Sequence, residues 1–174
     1  MRIKTGCYAA FIVGLAFSPV GMCSNEVGQL TFSIRVIQQS CVLEDDSLEV
    51  EMGSVNLPAR LPIGGVLRTR EFSLSLKECK GGTKAYVSMD GTPDADDKSL
   101  FALDAGGATG VALKIVKANN GEQQKPTSSG GDALEWGVDG EEALLTYQAS
   151  YVIVKDSVNT GAANALVNFS ITYE

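Results

Sequence analysis

Few side chains in this 174-residue sequence could carry chemistry, and their types and spacing restrict what that chemistry could be. Histidine is absent. Without imidazole, no Ser-His-Asp or Cys-His nucleophile can be assembled. A zinc site would have to rely on the cysteines alone. Asp90, Asp94, Asp96 and Asp97 form an acidic cluster that could meet calcium. They lack the glycine at the sixth position and the terminal glutamate of an EF-hand loop, so they read as a solvated acidic turn. Gly106-Gly107-Ala108-Thr109-Gly110 has no following Lys-Ser/Thr pair and no surrounding βαβ unit, and reads as a tight turn before a strand rather than a phosphate loop. No Ser-x-x-Lys occurs. Glu141 and Glu142 adjoin in sequence with nothing to place them in one cleft. Trp136 reads as a core or edge aromatic. Asn168-Phe169-Ser170 matches a glycosylation sequon but falls inside a predicted strand. The expectation is a protein that is not an enzyme and uses no cofactor or metal.

The charge balance narrows the partners. The chain has 14 basic and 21 acidic residues, a net charge of -7 and a pI near 4.6, which argues against nucleic acid because phosphate binding needs a basic face. At its start, Arg2 and Lys4 precede an uncharged, mostly apolar run of ten residues from Tyr8 to Phe17, followed by Ser18, Pro19 and Gly21. This predicts an export signal over residues 1–23, with small residues Gly21 and Cys23 before the cut. Ten apolar residues are too few for a bilayer span, which needs roughly 20. Removing the signal leaves 151 residues with 12 basic and 21 acidic side chains, a charge of -9. Cys7 and Cys23 leave with it, and the remaining pair, Cys41 and Cys79, reads as a disulfide of an exported protein.

The elements that must position these residues are strands. Leu30, Phe32, Ile34 and Val36 alternate with polar residues. So do Leu48, Val50 and Met52, and Phe72, Leu74 and Leu76. A shorter run holds Val87 and Met89, and another Val111, Leu113 and Ile115. Leu145, Tyr147, Ala149, Tyr151 and Ile153 make a long line, and Ala165, Val167, Phe169, Ile171 and Tyr173 close the chain. A period of two puts one row on a core face and the other toward solvent. Turn clusters separate these runs at 90–98, 106–110, 119–132 and 157–163. Short helical turns are expected near Ser99 to Leu103, and no segment carries a helical stripe over three turns. About seven strands in one chain of this length predict a single all-β sandwich. The most linker-like stretch, 119–132, reads as a surface loop or hairpin end.

Taken together, the signal, the alternating segment before Cys41, the Cys41–Cys79 pair, the glycine-led strand Gly110-Val111-Ala112-Leu113-Lys114-Ile115, the Leu145–Tyr151 run and the terminal strand with penultimate Tyr173 are similar to the fimbrial subunits of the chaperone–usher pathway, the type 1 and P pilus family. The likeness covers the whole mature chain, and its terminal strand is the most specific element.

The resemblance implies an incomplete immunoglobulin-like sandwich lacking its last strand, over residues 37–174, preceded by a donor-strand extension over 24–36. Leu30, Phe32, Ile34 and Val36 would be the donor residues, although the same alternation fits an ordinary first strand. It implies that Ala165, Val167, Phe169, Ile171, Tyr173 and Glu174 form the groove edge where a periplasmic chaperone docks. Other pilus subunits and an outer-membrane usher are the further implied partners. The expected function is a structural subunit of a bacterial surface pilus, exported through the periplasm and supporting adhesion. The alternative is a minor adaptor or adhesin subunit binding a host-surface ligand. One position departs from the family: the glycine usual seven residues before the first cysteine is Ile34, a bulky residue that requires a wider receiving pocket or a shifted donor boundary. A slip of one residue would reverse every face.

Overall fold

The computed structural model describes residues 41–57, 60 and 62–174. The export signal and the donor segment with Leu30, Phe32, Ile34 and Val36 lie outside the described residues. Eight strands follow in chain order: β1 (Val42–Leu43), β2 (Val66–Lys77), β3 (Thr83–Asp90), β4 (Val111–Lys117), β5 (Gln123–Gln124), β6 (Leu134–Val138), β7 (Ala143–Ile153) and β8 (Asn168–Tyr173). They form a five-stranded sheet of order β1-β2-β7-β4-β5 and a three-stranded sheet of order β6-β3-β8. All named ladders are antiparallel.

The alternation in the sequence becomes two facing inner surfaces. From the larger sheet come Leu74, Leu76, Leu113, Ile115, Leu145, Tyr147 and Ala149, and from the smaller Ala85, Val87, Met89, Trp136 and Val138; all are buried in one cluster. The disulfide between Cys41 and Cys79 is buried beside them, tying the residue before β1 to the turn after β2. On the outer face of the larger sheet, Thr69 and Ser150, and Ser73 and Thr146, pair their hydroxyls across β2 and β7 at 2.8 and 2.9 Å. This face presents hydrogen-bonding groups to water, as the polar half of the alternation requires. Strand β4 is buried on both faces at its start, where Ala112 is covered by a second small cluster with Leu100 and Val152.

Three elements differ from the sequence expectation. Leu48, Val50 and Met52 belong to no strand ladder, because a strand needs a partner's hydrogen bonds and the pairing of β1 with β2 stops at Glu44, whose N–H donates to the Ser75 carbonyl at 2.9 Å. Ser99 to Leu103 forms no helical turn. Phe101 instead exchanges backbone hydrogen bonds with Leu113 on β4 at 2.8 and 2.9 Å, and its buried ring holds this crossover onto the sheet. The stretch 119–132 is a hairpin end rather than a plain loop, with more structure than expected: β5 pairs antiparallel with β4, and a 3₁₀ turn at Thr127–Ser129 is fastened by Ser128 N–H donating to Asp90.

Candidate functional site

Strand β8 is the last strand and, among the described residues, pairs on one side only, with β3. The register sets Ala85 opposite Tyr173, Val87 opposite Ile171 and Met89 opposite Phe169. On β3 these residues are 0%, 0% and 3% exposed. On β8 the three apolar partners are only half-buried, although they point to the same interior. Within one sheet, the cover is complete over β3 and incomplete over β8.

The uncovered side opens into a groove of about 1140 Å³. One lip is Asp46–Val55, continuing from the short β1. The other is Gly161–Phe169, leading into β8. Phe72 and Leu74 of β2, Leu113 and Ile115 of β4, Ala149 of β7 and Met89 of β3 line the depth between them. A smaller recess of about 90 Å³, lined by Leu57, Leu67, Val111 and Val158, adjoins the groove and shares Val55, Tyr151, Gly161 and Ala163 with it. Tyr151 fastens the second lip to the sheet: its half-buried phenol donates to the carbonyl of Ala163, and burial pushes its pKa up.

The terminal residues suggested by the sequence divide here. Ala165, Val167 and Phe169 line the groove. Ile171 and Tyr173 share their face and pack against the core, but they are not among the groove-lining residues. Glu174 exchanges two backbone hydrogen bonds of 2.9 Å with Lys84, so the ladder continues through the last residue of the chain. Sequence reasoning did not assign the first lip to this site. Its signal was present in Leu48, Val50 and Met52, which line the groove as residues of the lip.

Below the inner sheet surface lies a polar pair that supports the core. Trp136 Nε1 donates to Tyr147 Oη at 2.8 Å, and the rings meet edge to face at 5.1 Å. Tyr147 also stacks on Phe72, a residue of the groove, at 5.5 Å. Burial pushes the Tyr147 phenol well above its usual range. Lys117 places its ammonium 4.6 Å from the Trp136 ring centre, donates to the Glu135 carbonyl at 2.7 Å and pairs with Glu122 at 3.3 Å.

The remaining candidates are spent on local structure. Asp94 accepts from the backbone N–H groups of Asp96 and Asp97, Asp97 accepts from Ser99, and Asp96 pairs with Lys155. Among the described residues, no group of acidic, cysteine or histidine side chains is arranged to hold a metal ion. Gly110 has φ of 79°, and a Cβ there would lie 2.3 Å from the Ser157 carbonyl oxygen, so the glycine-rich stretch is a close backbone crossing.

A two-sheet sandwich with a groove running beside its last strand defines a pilin-type, immunoglobulin-like fold, and the comparisons agree. The family model described as "Fimbrial protein" matches residues 29–174, and the chain belongs to that family. It is 52% identical over 147 residues to a probable fimbrial subunit, LpfE, of Escherichia coli O157:H7, covering 84% of this chain and 83% of that one. A type I fimbria protein of Burkholderia pseudomallei superposes with a TM-score of 0.59 at 29% identity, over 76% of this chain and 88% of the other. The P pilus rod subunit PapA shares the fold with a TM-score of 0.62 at 23% identity, covering 78% of this chain and 100% of its own. The chain is a structural fimbrial subunit, as the terminal-strand pattern implied.

Proposed function

We propose that this subunit polymerises by donor-strand complementation. The observation that carries this reading is the half-buried row Ala165, Val167, Phe169 and Ile171, which leads into and along β8; among the described residues one edge of β8 is unpaired and the opposite lip of the groove beside it lacks a strand partner. Such an edge exposes apolar surface and unsatisfied backbone groups together, a template for an added strand. An extended segment laid between the lips could hydrogen-bond to β8 on one side and the Asp46–Val55 lip on the other.

In this reading a periplasmic chaperone occupies the groove after export, with Tyr173 and Glu174 at its docking edge. An outer-membrane usher then exchanges the chaperone for another subunit's extension. This chain's own donor segment, Leu30, Phe32, Ile34 and Val36 within residues 24–36, would fill a neighbour's groove. The fibre so formed stands on the cell surface and supports adhesion. The test is export of a chain lacking residues 24–36. The truncated subunit should accumulate in the periplasm with its chaperone and be missing as a donor from sheared surface fibres. Normal incorporation, with the deleted chain still followed by further subunits on both sides, would refute the reading.

A further inference from the structure

We propose that the groove selects its occupant by charge as well as by shape, and that the occupant it fits is the Leu30–Val36 segment of a second copy of this chain. This inference rests on the donor-strand reading above.

The two lips differ electrically. The first carries Asp46, Glu49 and Glu51, all exposed and none in an ion pair among the described residues. The second, Gly161–Phe169, has no ionisable side chain. One cation lines the groove: Arg68, whose Nη2 donates to the Ser54 carbonyl at 2.6 Å, beyond the acidic stretch. At the far end of the acidic stretch Val50 and Met52 are half-buried and Met52 packs against the core cluster, while Glu49 and Glu51 are exposed, so these two carboxylates lie on the solvent side.

The donor segment has the complementary pattern. With Leu30, Phe32, Ile34 and Val36 turned into the groove, Thr31, Ser33 and Arg35 face out. Arg35 is the only charged residue between Val27 and Ser40. A strand seated beside the first lip therefore presents a cation on the face that carries the lip's carboxylates. Opposite charges on neighbouring strands attract and like charges directly opposite repel. A donor with an acidic residue on its outward face meets this lip unfavourably, and such discrimination acts strongly on the rate of encounter.

The test uses a labelled peptide covering residues 27–37, in which Arg35 is the only charged side chain, and the full mature chain refolded in its presence. Insertion is followed by anisotropy at about 0.01 M and about 1 M salt, where the screening lengths are roughly 30 and 3 Å. The native peptide should associate about tenfold faster at low salt than at high salt. The Arg35→Glu peptide should lose or invert that dependence. An acceptor carrying Glu49→Gln and Glu51→Gln should take up both peptides at similar rates. If the native and Arg35→Glu peptides enter the unaltered chain equally fast at low salt, charge selection is refuted and the donor-strand reading stands. If neither peptide enters at either salt, that reading falls and this inference with it.

Discussion

Tyr147 sits where the core and the groove meet. Its ring is fully buried between Phe72 and Trp136, and its hydroxyl is the acceptor for the indole N–H. Tyr147→Phe keeps the packing and strands that buried donor, so urea unfolding should show a loss of about 1–3 kcal/mol. The disulfide is a second point of leverage. Its loop spans 38 positions, and replacing both Cys41 and Cys79 with alanine should lower stability by about 4 kcal/mol in the chain-entropy account, read from the same unfolding curves. Several carboxylates are held below their usual range: Glu44 by Lys77, Glu135 by Lys84, Asp90 by the Ser128 backbone and Asp97 by Ser99. A depressed folded-state pKa contributes stability above the unfolded value, and this is lost as pH falls through the folded one. Thermal melts should therefore be flat near neutrality and fall as pH drops below about 4. Salt should blunt the effect of the exposed pairs.

At the scale of elements, long alternating runs were legible and short ones were not. Strands β2, β4 and β7 appear as rows of apolar residues because each turns one face to the core. Strand β6 was missed: Leu134, Trp136 and Val138 alternate over only five residues, with Gly137 among them. Strand β5 is two glutamines, and its Gln124 is fully buried with its amide donating to the Asp132 carbonyl at 3.2 Å, a burial no polar residue advertises. The reverse error occurred at Leu48, Val50 and Met52, where the pattern of a strand is present and the ladder is not. That mismatch is informative, because a period of two reports which side chains face inward and says nothing about whether a backbone partner is at hand. Hydrogen exchange should reveal the difference. Amides of residues 46–52 should exchange rapidly in the unoccupied subunit, and together with those on the free edge of β8 they should become protected when a donor peptide enters. Unchanged exchange across the lip on peptide binding would place the occupant elsewhere.

For the whole molecule, the sequence revealed a sandwich and a terminal strand, while the groove needed coordinates because its walls come from both ends of the domain. Asp46–Val55 and Gly161–Phe169 are more than a hundred residues apart in sequence, and only the sheet order brings them to one site. In the donor-strand reading, this subunit is completed by a strand from another chain. The most direct measurement compares peptides covering residues 24–37 with native Phe32 and with Phe32→Asp, each offered to the mature chain, with thermal stability as the readout. The native peptide should raise the melting temperature, because burying each large apolar side chain contributes about 1.5–3 kcal/mol. The Phe32→Asp peptide should fail to do so, since an unpaired carboxylate in an apolar groove costs several kcal/mol. Equal stabilisation by the two peptides, or none by the native one, would contradict the claim and leave Leu30–Val36 as an ordinary first strand.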